Sequence, residues 1–185
     1  MNGAHPANHA AAPLVVGPLR GYRYWCAEWE EGQPVLRSLY HSTRWPVQGP
    51  LHATCEKRPS TFGAWIRHLV SSQPEETHAA PAGVCNCGIY ALTQWDAIEP
   101  QALLPPVCHH PGLERYVFGL VLLWGRVIQH GHGYRAEYAR PLRLLTTSLR
   151  ARSDGIRSLL DAVTTCYGIP LVTRVEELSA PFREG

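Results

Sequence analysis

Residues 21–41, GYRYWCAEWEEGQPVLRSLYH, interleave aromatic and polar side chains around a Glu-Gly-Gln-Pro turn signal. A period of two is a strand pattern, so the segment predicts a β-hairpin. Successive strand side chains point to opposite faces. Tyr22, Tyr24 and Cys26 therefore share one face, and Arg23, Trp25 and Ala27 the other. Each face carries an aromatic, so the strand is expected to be covered on both sides.

A second hairpin is written more sharply in residues 116–145, YVFGLVLLWGRVIQHGHGYRAEYARPLRLL. An apolar run, residues 117–124, leads to a Gly-His turn and a returning strand. With the turn at Gly131-His132, His130 faces Gly133, Ile128 faces Arg135 and Arg126 faces Glu137. On the other side Gln129, Val127 and Gly125 face Tyr134, Ala136 and Tyr138. That side is mostly apolar, with Tyr138 covering Gly125. The first side carries an Arg126–Glu137 pair, a contact of roughly 0.2–1 kcal/mol.

Helical spacing is found in three places. Phe62, Ile66, Leu69 and Val70 form a stripe over residues 60–72. Ile89, Leu92, Trp95 and Ile98 recur every third residue and predict a short helix starting just after Cys87. Residues 153–168, SDGIRSLLDAVTTCYG, have Ser153 as N-cap, Gly168 as stop and a stripe of Ile156, Leu159, Leu160 and Val163. Residues 51–56 (LHATCE) read as a short strand and 169–178 (IPLVTRVEEL) as an edge strand. Pro100, Pro105, Pro106 and Pro111 stiffen the loop at 99–113. Residues 1–18, rich in Ala, Pro, His and Gly, form a flexible N-terminal arm. Residues 19–185 form a single α+β domain, a curled antiparallel sheet (a partial barrel) with two to three helices.

Composition narrows the functional classes. The chain has 185 residues, 45% hydrophobic and 17% charged, enough to bury a core without disulfides. The net charge of +2 argues against nucleic acid and against an anionic membrane surface as partners. Lys57 is the one lysine among 17 basic residues, a bias that reads as codon composition and not as a phosphate-binding surface. No run reaches the length of a membrane-spanning helix, and the N-terminus lacks an export signal. A cytoplasmic setting is expected, with the six cysteines as thiols or metal ligands.

The most distinctive chemistry lies in residues 78–91, HAAPAGVCNCGIYA. Cys85 and Cys87 are too close in sequence for an unstrained mutual disulfide, but both can ligate a metal. With Cys55 and His78 they make a four-ligand zinc set, with Cys108, His109 and His110 as a rival supply of ligands. The competing reading is a set of inert buried thiols. A third is a reactive thiol. Cys87 at a helix start would gain thiolate character from the backbone dipole, and His130 or His132 could serve as its base. Both histidines fall at a hairpin turn, where surface residues are ordinary. Arg126, Arg135, Arg140 and Arg143 lie near Trp124, Tyr134 and Tyr138. In the register above, Arg126 and Arg135 fall on the face away from the aromatics, which weakens a base-stacking sheet.

Two blocks, CNCGIYAL and GLVLLWGRVIQHGHGYRAEYARP, resemble uncharacterised small hypothetical proteins of actinobacteria and their phages. The matching residues are His78, Pro81, Cys85, Cys87, Gly88, Tyr90, Trp124, Gly125, Gly133, Tyr134, Arg135, Ala136 and Glu137. The resemblance covers roughly residues 20–145. It implies a shared fold and a bacterial cytoplasmic origin, and brings no activity with it. The reading that follows is a small binding or regulatory module stabilised by a structural zinc, with its partner left open and a protein one candidate. The alternatives are a cysteine-dependent hydrolase or transferase using Cys87 with His130 or His132, and a nucleic-acid-associated factor.

Overall fold

The first hairpin forms where the alternation places it. In the computed structural model, β1 (Leu19–Glu30) turns through Glu31 and Gly32 into β2 (Gln33–Ser38). Glu31 and Gly32 have φ of 51° and 78°, the both-positive geometry of a type I′ turn, whose twist suits a two-residue hairpin. Pro34 lies inside β2, opposite Trp29. It is tolerated because β2 is an edge strand.

The structure describes residues 17–39, 41, 43–55, 78–83, 85–95, 116–146 and 154–181. Residues 1–16 of the expected arm, the 60–72 helix, the four-proline loop with Cys108, His109 and His110, and the Ser153 cap lie outside the described residues. Within them, short β3 (Leu51–His52) and β4 (Ile89–Leu92) precede the long hairpin β5 (Tyr116–His130) and β6 (Gly133–Leu145). Helix α1 (Asp154–Tyr167), strand β7 (Leu171–Val172) and helix α2 (Val175–Ser179) follow. The class is α+β: among the described residues, a mostly antiparallel seven-stranded sheet, with β7 joining parallel to β6, and two helices. Strands β1, β5, β6 and β4 pair in a ring, which β4 closes back onto β1 through Tyr22 and Leu92.

Three expectations are corrected. The helix predicted after Cys87 is strand β4. Over four residues the spacing of Ile89 and Leu92 fits a helix, but Ile89 and Ala91 are the buried pair and Tyr90 between them is exposed, a period of two. Of the 51–56 segment, Leu51 and His52 are strand and residues 53–55 are not; residue 56 lies outside the described residues. The tail segment is divided between the two-residue β7 and helix α2, so its edge strand is much shorter than expected.

The long hairpin pairs as expected from His130–Gly133 through Val127–Ala136. Gly131, with φ of 45°, takes the first position of the turn, as a type II′ turn requires. The register then shifts. Gly125 and Arg126 together oppose Glu137, and Trp124 pairs with Tyr138. Gly125 has φ of 75°, the left-handed first residue of a G1 bulge. The expected Arg126–Glu137 side-chain pair is replaced by a bond from the Arg126 backbone N–H to Glu137 Oε2, at 3.0 Å. Tyr138 does cover Gly125: a Cβ there would sit 2.7 Å from Tyr138 Cδ2.

The sheet is covered on both faces, as the aromatic pattern of β1 implies. Trp25, Ala27, Val117, Val121 and Leu123 join Trp45 and the α1 stripe of Ile156, Leu159, Leu160 and Val163 in the larger core. Phe118, Leu120, Leu142, Leu145 and Leu178 of α2 form the smaller one, packed by Tyr22 and Tyr24. Full burial of such aliphatic side chains contributes about 1.5–3 kcal/mol each. Tyr167, at the end of α1, donates its hydroxyl to Trp45 O and accepts from Leu36 N–H, which pins the helix across the first hairpin. No helix among the described residues is long and apolar enough to cross a membrane.

Candidate metal centre

Each ligand-bearing segment is fastened to the β5–β6 hairpin. The Ala53 amide donates to Glu137 O at 2.7 Å and holds the strand leading to Cys55. The Arg126 guanidinium, freed from Glu137 by the bulge, donates to Ala79 O at 3.0 Å beside His78. Arg135 collects the Cys-x-Cys loop, with Nη1 donating to Ala82 O at 3.3 Å, to Cys87 O at 3.4 Å and to Cys85 O. The carbonyl of Asn86 accepts from the Tyr90 hydroxyl at 2.7 Å. Gly88 then leads into β4 with φ of 120°. A Cβ at this glycine would come within 3.0 Å of Pro81 Cβ and 3.1 Å of Arg135 Cβ, so the tight approach of loop to strand needs the missing side chain.

These tethers bring Cys55, His78, Cys85 and Cys87 together. Their ligand atoms all lie within 4.8 Å of one another, and each residue is half-buried. Cys55 Sγ and Cys85 Sγ are 3.6 Å apart, and His78 Nε2 is 3.2 Å from Cys87 Sγ. A disulfide would need about 2.05 Å. Four ligands placed tetrahedrally at zinc–sulfur distances of about 2.3 Å would stand about 3.8 Å apart. The separations are close to those of a ligand tetrahedron, and the four form a compact Cys3His group that can hold a metal ion. The five cysteines among the described residues are all free thiols.

The thiols differ in acidity. The amide of Cys87, and next the Cys55 thiol, stabilise the Cys85 thiolate and bring its pKa down to about 7. Partial desolvation, followed by hydrogen bonds and like charge from Cys85 and Cys87, pushes Cys55 up to about 11. Without metal, Cys85 forms its thiolate readily and Cys55 resists doing so. A bound cation reverses this, since metal binding displaces the remaining protons.

The reactive-thiol geometry differs from expectation. Cys87 precedes a strand and so has no helix dipole behind it. The imidazole within hydrogen-bonding distance of its sulfur belongs to His78. His130 and His132 lie at the β5–β6 turn, beyond the other end of β4. Leu92 is opposite Gly133 there, five residues past Cys87 and about 16 Å along the strand. His130 meets the Tyr90 ring edge-on at 5.7 Å. Desolvation and then the charge of Arg135 hold it below the usual histidine range. His132 offers its carbonyl to the amide and hydroxyl of Thr93.

Sequence reasoning nominated the four residues that converge but missed those that hold them in place. Arg135 is only 8% exposed, and a guanidinium so placed must have partners. The available signal was its position opposite apolar Ile128. Gly125 inside a strand pattern was likewise the signal for the bulge that releases Arg126.

No family model matches the chain, and no curated protein or solved structure matches it either. The blocks CNCGIYAL and GLVLLWGRVIQHGHGYRAEYARP are separated in sequence by residues 93–118. Those blocks are spatial neighbours: β4 pairs with β6 from Ile89–Ala136 to Leu92–Gly133.

Proposed function

We propose that this protein is a small binding or regulatory module whose 78–88 loop is fastened to the sheet by a structural zinc ion, held by Cys55, His78, Cys85 and Cys87. The convergence of four ligand atoms within 4.8 Å carries this reading. Three thiolates and an imidazole are soft and borderline donors that suit zinc. Four protein ligands also fill a tetrahedron and leave no position for substrate or water, which favours a structural over a catalytic ion. The loop, HAAPAGVCNCG, already buries Ala80 and Pro81, and the ion would add a second anchor at its Cys-x-Cys end.

Metal analysis of the purified protein is the direct test, with one zinc per chain expected. Cys85→Ser and Cys87→Ser should each release the metal and lower the melting temperature to similar extents. Protein purified without any metal, and melting like both variants, would refute the reading. The 3.2 Å contact between His78 Nε2 and Cys87 Sγ favours a second reading, a cysteine-dependent hydrolase or transferase in which His78 replaces His130 or His132 as the base. In that case Cys87→Ser would leave stability nearly unchanged, and alkylation would select Cys87.

A further inference from the structure

We infer that Arg135 is both the clamp and the counter-ion of the Cys55/His78/Cys85/Cys87 site, a positioning residue for its metal; the inference rests on the metal-binding reading above. Two independent observations carry it. The first is geometric. The guanidinium reaches out from β6 and binds the carbonyls of Ala82, Cys85 and Cys87. Two of these belong to ligand residues and the third to the turn that precedes them. One planar cation thus fixes the backbone on both sides of Asn86, and with it the spacing of the two sulfurs. Arg143, farther along β6, binds the carbonyls of Glu177, Leu178 and Ala180 in the same way, but those belong to the end of helix α2 and leave no ligand to position.

The second observation is electrostatic. Arg135 is 8% exposed, and all its hydrogen bonds go to neutral carbonyls. Among the described residues no carboxylate lies within ion-pair distance of it. A buried cation without a counter-ion is costly. A divalent ion bound by three thiolates and a neutral imidazole carries one surplus negative charge, and Arg135 carries one positive charge. The metal-loaded site and the guanidinium are together neutral, which neither is alone. Groups outside the ligand shell that orient and polarise ligands act on metal affinity in this way.

The test is cobalt(II) binding to the full chain, read as an affinity against a competing chelator and as the sulfur-to-cobalt charge-transfer band. Wild type, Arg135→Gln and Arg135→Lys are compared below their melting temperatures. Glutamine keeps hydrogen-bond donors but no charge, and should weaken cobalt binding about 10–100-fold and shift the charge-transfer band. Lysine keeps the charge and one terminal donor nitrogen, as Nη1 alone makes the three bonds here, and should recover most of the lost affinity. An Arg135→Gln protein that melts lower yet binds cobalt with wild-type affinity and an unshifted band would overturn the inference, leaving Arg135 a fold residue. If Arg135→Gln does not fold, Arg135→Lys decides: affinity near wild type supports the counter-ion, and a loss as large as the glutamine variant's expected one overturns it. Wild-type protein that binds no cobalt would instead remove the metal-binding reading, and this inference with it.

Discussion

Cys55 and Cys85 are 3.6 Å apart, yet their environments drive them in opposite directions. An amide and a neighbouring thiol favour the thiolate of Cys85, bringing it to about 7, while partial desolvation and neighbouring sulfurs hold Cys55 near 11. The thiolate is the form that reacts with alkylating agents. A lowered thiol pKa means the thiolate is present above that value and lost below it. In chelated, reduced protein near neutral pH, iodoacetamide should therefore modify Cys85 well before Cys55. The Cys85 rate should climb as pH passes through about 7. Peptide mapping after brief labelling reads this, and equal modification of the two would contradict it. Residue types and proximity along the chain were enough to nominate the four ligands, because Cys55 and His78 flank the segment that ends in Cys85 and Cys87. The tethering arginines were not legible, since a guanidinium on a strand looks the same in sequence whether it meets water or a ring of carbonyls.

Two kinds of pattern compete at the level of elements, and length decides between them. The 15-residue β5 and 13-residue β6 were readable because one turn placement sorted many side chains onto two faces at once. The four-residue β4 was not, because Ile89 and Leu92 fit a helical period as well as Ile89 and Ala91 fit a strand. What settles β4 is pairing with β6 on one side and β1 on the other, information that no local window holds. The long hairpin also depends on a close approach that its register does not announce. A Cβ on Gly119 would lie 2.2 Å from the backbone oxygen of Arg143, on the partner strand beside a second register shift. Gly119→Ala must therefore push β5 and β6 apart, at a cost of about 1–3 kcal/mol or more. Gly131→Ala, at an open turn with nothing within 4 Å, should cost only about 1–2 kcal/mol from its positive φ. Denaturant unfolding of the two variants ranks them, and a Gly119→Ala protein as stable as wild type would mean that the strands do not approach so closely.

Across the whole molecule, chain order and spatial order part company at the Cys3His group. Its members come from residue 55, residue 78 and residues 85–87, and all three segments are attached to a hairpin that begins at residue 116. The hairpin does not need them: β5 is buried on both faces, between a core capped by α1 and a second capped by α2. The ligand segments do need the hairpin, because they are tied to it by the short β3–β6 and β4–β6 ladders and by hydrogen bonds from Arg126, Arg135 and the Ala53 amide. Stability should therefore be divided, with the sheet and α1 at the global level and the ligand segments at a lower, metal-dependent one. An ion bound only by the folded state adds about 4 kcal/mol when free metal stands at about 1,000 times its Kd. Chelation should accordingly lower the melting temperature. In hydrogen exchange it should speed amides in residues 51–55 and 78–88, while those of β5, β6 and α1 keep most of their protection. The Ala53 amide is the most telling single probe, since its acceptor, Glu137 O, belongs to the part expected to stay folded. Uniform loss of protection across the sheet on chelation would show that the centre holds up the whole fold, and unchanged protection at 78–88 would show that Arg135 and Tyr90 hold the loop without an ion.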